Sequence, residues 1–155
     1  MYLDGPGGSG KTTLAFEFAR LIAETDTEFR LANGEMLDYV VFISGKEIEL
    51  NPQTGKQQPF KLRNFMTASE QLGQIAFHSG MIDASQLEAT TDEQLEAVVK
   101  ELFSNFNGVI VIDDIDTLSR ERKDTGEESL FLKAATSSKR TRILYTLRYP
   151  PTRTR

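Results

Sequence analysis

The sequence predicts an α/β fold, a parallel sheet with helices on both faces. Three observations carry that expectation. Short apolar runs rich in β-branched and aromatic residues, YVVFIS at 39–44, VIVI at 109–112 and RILYTLR at 142–148, read as buried parallel strands. Segments of helical period separate them, and such alternation calls for crossover helices packed on the sheet. Finally, YLDGPGGSGKTTLAFEFA, residues 2–19, passes from a strand end through a glycine-rich loop into a helix.

In chain order, Tyr2 and Leu3 end a first strand. The loop Gly5-Pro6-Gly7-Gly8-Ser9-Gly10-Lys11-Thr12 fits the phosphate-binding pattern G-x-x-x-x-G-K-S/T. Glycines let the backbone curl at positive φ, so that successive N–H groups form a concave anion site. The following helix adds its N-terminal partial charge. Lys11 would reach the β- and γ-phosphates as a mobile point charge. The Thr12 hydroxyl would complete the coordination of Mg²⁺, a hard ion that prefers oxygen. Thr13 is a weaker candidate, for the α-phosphate. Leu14, Phe18, Leu21 and Ile22 recur at helical spacing and form the expected core face of this helix.

A polar stretch with an Asn33-Gly34 turn signal leads to the strand at 39–44. EIELNPQTGKQQPFKL then alternates, turns at Asn51-Pro52 and Thr54-Gly55, and alternates again through Phe60 and Leu62; it reads as an exposed hairpin inserted over about residues 48–62. Thr67-Ala68-Ser69-Glu70 is a capping box that opens a helix to about Ser79. Thr91-Asp92-Glu93-Gln94 opens another, with Leu95, Val98, Val99 and Leu102 on one face and a stop at Asn107-Gly108. A charged loop and a helix over about residues 127–135 precede the last strand.

The 155 residues suit one domain, 1–155, and 39% apolar content supports an ordinary core. The absence of cysteine excludes disulfides and cysteine-ligated zinc, and a single histidine, His78, excludes a histidine cluster. His78 falls near a helix end and reads as structural. No apolar run approaches the roughly 20 residues needed to cross a bilayer, and no signal peptide is visible. A cytoplasmic protein without a membrane partner is expected. Net charge is −5, but Lys139, Arg140, Arg142, Arg148, Arg153 and Arg155 form an acid-free basic tail, leaving 12 of the 18 basic side chains against all 23 acidic ones. Such a tail can contact nucleic acid; a solvated run around a buried strand is the favoured reading.

Ligands of parallel α/β sheets bind at the carboxyl ends of the strands. The glycine loop, Asp113-Asp114 and Arg148 all fall there. Four apolar residues followed by Asp113 form a Walker B pattern, whose carboxylate fixes Mg²⁺ against the β- and γ-phosphates. Asp114 is the candidate to orient or deprotonate an attacking water, and Asp116 reads as a helix cap. Arg148 would sense or stabilise γ-phosphate charge; a plain surface arginine remains the alternative.

GPGGSGKTTLA, VIVIDDID and RILYTLR together resemble the STAND class of signal-transduction P-loop ATPases, especially its NB-ARC/NACHT-like branch. YVVFISGKE is similar to the second strand of prokaryotic members. The resemblance covers most of the chain, and the combination with Thr146 and Arg148 gives it its specificity. It implies a P-loop NTPase fold and a switch held closed by ADP and opened into oligomers by ATP with a trigger ligand, in signalling or antiviral defence. By resemblance, Lys11 and Thr12 bind phosphate and Mg²⁺, Asp113 binds the metal, and Arg148 senses the γ-phosphate. A fifth core strand and a helical lid with a Gly-x-Pro segment would follow in the family. The chain therefore reads as a core truncated before them, with sensor and effector domains outside it, and ATP hydrolysis is expected to be slow or absent.

No Asn-Lys-x-Asp motif occurs and Asp113 is followed at +3 by Asp116 rather than glycine, which disfavours a GTPase; no Leu-Ser-Gly-Gly segment between the two motifs supports an ABC transporter ATPase. The runner-up is an AAA+ type ATPase acting on nucleic acid, as a loader or transposition regulator, with the basic tail on phosphates. A small-molecule kinase would need an arginine-rich lid, which the sequence between the two motifs lacks.

Overall fold

A computed structural model describes residues 1–24, 30, 34–46, 48–50, 53–54, 56–59, 65, 67–115 and 138–147. The elements run β1 (Tyr2–Leu3), α1 (Lys11–Glu24), β2 (Tyr39–Ser44), β3 (Ile48–Leu50), β4 (Gln57–Pro59), α2 (Ala68–His78), α3 (Ala84–Ala89), α4 (Asp92–Asn105), β5 (Gly108–Asp113) and β6 (Thr141–Thr146). The expected helix at 127–135, the Asn33, Asn51-Pro52 and Gly55 turn positions, Phe60, Leu62, Asp116 and Arg148 lie outside the described residues.

Four strands form one parallel sheet in the order β1-β6-β5-β2. Strand alternation sends successive side chains to opposite faces. Val109, Val111 and Leu144 meet Ala15 and Ala19 of α1 on one face. Val41, Ile43, Ile110 and Ile112 meet Leu72, Ile75, Ala76, Leu95, Val99 and Leu102 of α2 and α4 on the other. Helices thus cover both faces, and β5, buried at all six positions, is the centre of the core. β3 and β4 pair antiparallel in a separate two-stranded sheet, the hairpin expected after β2.

Local chemistry explains the boundaries. Thr67 and Glu70 form the capping box of α2, and Thr91 and Gln94 that of α4. A third box, Asp83 with Gln86, starts the short helix α3, which the sequence reading did not anticipate. At the amino end of the sheet, Gly108 lies under the Tyr39 ring: a Cβ there would sit 2.0 Å from the ring. The Tyr39 hydroxyl shares a 2.6 Å hydrogen bond with Thr141 Oγ1, tying β2 across β5 to β6. Among the described residues, no helix is long and apolar enough to cross a membrane.

The face that α1 buries differs from the expected one. Ala15, Ala19 and Ile22 are buried, whereas Leu14, Phe18 and Leu21 are exposed. Small residues let the helix axis approach the sheet closely, which larger ones would prevent. Phe16 is partly exposed and meets the Phe42 ring edge-on at 5.3 Å.

Candidate nucleotide and metal site

Each long strand of the sheet carries an apolar run that ends in a polar residue. β2 ends in Ser44, β5 in Asp113 and β6 in Thr146. Ser44 and Asp113 are register partners. Thr146 follows Tyr145, the partner of Ile112, and so stands beside Asp113. Alternation from Phe42, Val111 and Leu144 sends all three polar side chains toward the α1 face, at the carboxyl edge where α1 begins.

The result is a cluster of hydroxyls around one carboxylate. Asp113 Oδ1 accepts from Thr12 Oγ1 at 3.0 Å and from Thr146 Oγ1 at 2.6 Å. Asp113 Oδ2 accepts from Ser44 Oγ at 2.8 Å. Asp113 is 0% exposed, a position where a carboxylate requires such donors. The Asp114 N–H donates to Thr146 Oγ1 at 2.9 Å, so this hydroxyl links the backbone of one acid to the side chain of the other. Asp114 is nearly buried and has φ 54°, the left-handed region that aspartate tolerates better than most residues.

The glycine loop adjoins this cluster. Gly5, Gly8 and Gly10 have positive φ of 146°, 82° and 81°, which the expected tight curl requires. A Cβ on Gly7, Gly8 or Gly10 would meet nothing within 4 Å, so backbone conformation rather than crowding selects glycine at Gly8 and Gly10. Lys11 Nζ donates to Gly5 O at 2.6 Å, Pro6 O at 2.9 Å and Ser9 Oγ at 3.2 Å, holding the ammonium within the loop. The Leu14 N–H donates to Gly10 O, the first turn of α1. Thr13 is exposed beside Thr12.

The donor set suits Mg²⁺. Thr12 and Asp113 offer hard oxygens, and donation of the Thr12 proton to Asp113 leaves the Thr12 lone pairs for a cation. Among the described residues, no group of three His, Cys, Asp or Glu could form an all-protein metal cage. Mg²⁺ commonly keeps waters and shares phosphate oxygens.

The structure therefore brings together the loop, Lys11, Thr12 and Asp113 as the sequence led us to expect, and sets Asp114 one residue further along the same edge. Arg148 lies outside the described residues. Ser44 was missed by the sequence reading. Its signal was the shared form of YVVFIS, GVIVID and TRILYT, three six-residue strands each ending in a side chain with a polar oxygen.

Residues 1–142 match the family described as the ATPase family associated with various cellular activities (AAA). A comparison with curated proteins finds no match.

Proposed function

The chain belongs to the AAA ATPase family, and on that premise we propose that it is a Mg-ATP-binding switch domain with slow hydrolysis. Family membership implies nucleotide binding, usually with Mg²⁺. The observation that carries the proposal is the buried Asp113 carboxylate bonded to Thr12 at 3.0 Å beside the glycine loop. In this reading the loop N–H groups and Lys11 hold the phosphates, while Thr12 and Asp113 hold the cation. Asp114 orients the attacking water and Arg148 responds to the γ-phosphate. Bound Mg²⁺ would supply charge neutralisation of the β- and γ-phosphates.

The finer proposal is a STAND-like signalling or defence protein whose 1–155 core serves sensor and effector domains elsewhere and oligomerises on activation. It is supported by the Thr146 and Arg148 pattern and by the link from Thr146 to both acids. Lys139 and Arg140 precede β6, while the site lies beyond its far end, a separation of about 20 Å for a six-residue strand.

Phosphate release and DNA or RNA binding at low salt test the two readings together. The switch reading predicts slow Mg²⁺-dependent release of phosphate from ATP that nucleic acid does not change. Nucleic-acid binding that weakens steeply with salt and accelerates hydrolysis would favour the alternative.

A further inference from the structure

We propose that Ser44 is a positioning residue for the metal site, aligning the Asp113 carboxylate for Mg²⁺; this rests on the Mg-ATP reading above. Ser44 is 0% exposed and ends β2, opposite Asp113 in register. Its hydroxyl donates to Asp113 Oδ2 at 2.8 Å, while Thr12 and Thr146 both donate to Oδ1. With donors on one oxygen alone, the carboxylate could rotate about its Cβ–Cγ bond, a broad torsion for aspartate. The bond from Ser44 fixes the second oxygen and with it the plane of the group.

Ser44 is itself oriented. The Lys46 N–H donates into Ser44 Oγ at 3.2 Å, which occupies a lone pair and directs the hydroxyl proton toward Asp113. The Gly45 N–H donates to Asp113 O at 3.0 Å, so side chain and backbone of the acid are both held from the same turn. That turn is tightly packed: a Cβ on Gly45 would lie 2.9 Å from the Phe65 ring and 3.3 Å from Asp114 O. Ser44 therefore has little freedom to leave, and the turn that leads into the β3–β4 hairpin becomes part of the support of the metal site. Groups that orient a metal ligand from behind typically change metal affinity about 10–100-fold when removed.

The test compares ATP affinity in excess EDTA with that in Mg²⁺, for the natural chain and Ser44→Ala, by calorimetry. The readout is the ratio of the two dissociation constants. We expect Ser44→Ala to reduce the Mg²⁺ enhancement about tenfold and to leave the EDTA affinity nearly unchanged, with a lower thermal midpoint because the buried carboxylate loses one donor. Equal enhancement in both proteins would overturn the role of Ser44 and leave the nucleotide reading intact. Equal loss with and without Mg²⁺ would show a merely structural role and also overturn it. Absence of nucleotide binding by the natural chain would overturn the nucleotide reading, and this proposal with it. Should Ser44→Ala not fold, Ser44→Cys, which keeps the volume with a much weaker donor, reads the same ratio.

Discussion

At φ 54°, Asp114 is the one non-glycine among the described residues in the left-handed region. That conformation costs a residue with a Cβ about 1–2 kcal/mol. It follows directly on the bonds that fix Asp113, and the Asp114 N–H is held by Thr146 Oγ1. Strain of this kind persists where the surroundings over-determine it, often at functional sites. Asp114→Gly relieves that strain but frees the unfolded chain, so stability in urea unfolding should change by no more than about 0.5 kcal/mol. The same substitution should reduce phosphate release at least about a hundredfold if Asp114 acts on the attacking water. A larger loss of stability would show that the Asp114 side chain holds the fold. At this scale the sequence was informative about chemistry and silent about geometry. The grouping of Gly5 to Thr12 with Asp113 was legible because the pattern that predicts it depends on residue type and spacing. The conformation of Asp114 and the bond from Ser44 were not, because they arise from contacts between distant strands.

Elements were legible where their signals are local. The capping boxes at Thr67 and Thr91 mark α2 and α4, and both form as read. α3 escaped because six residues with no fully buried side chain leave no periodic pattern, although Asp83-x-x-Gln86 is a cap of the same kind. The face of α1 was misread for a different reason. Periodicity ranks residues by hydrophobicity, whereas contact with the sheet selects for small size. Ala15 is 0% exposed in the cluster with Val111 and Leu144, one turn below Thr12. Ala15→Leu should push α1 off the sheet, costing about 1–3 kcal/mol in denaturant unfolding. The shift should separate Thr12 from Asp113, and Mg²⁺-dependent ATP binding should weaken along with stability. Unfolding at the natural midpoint with undiminished binding would mean that the close approach of α1 is unimportant.

For the whole molecule, alternation of strands and helices gave the layers but not the spatial order of the strands. Placing β6 between β1 and β5 is what brings Thr146 to Asp113, and nothing in the chain order states it. The same assembly partly buries Tyr39 and Tyr145 on the α2 and α4 side. Burial pushes both hydroxyls up to about 12 from the usual 10.0. Since the folded value is the higher, their contribution is fully present below pH 10 and is lost as pH rises toward 12. Stability should fall in that window by at most about 1.4 kcal/mol per pH unit for each tyrosine. Tyr145→Phe should shallow the fall in alkaline unfolding curves, and an unchanged slope would remove Tyr145 from the account. The central claim is that loop, Lys11, Thr12 and Asp113 form a Mg-ATP site, and calorimetric titration with Mg-ATP, Mg-ADP and Mg-GTP, beside Lys11→Ala, tests it most directly. The account predicts adenine-nucleotide binding by the natural chain, weaker binding of Mg-GTP, and loss of binding in the folded Lys11→Ala variant. Equal affinity of the variant for Mg-ATP, or no binding by a folded natural chain, would contradict it.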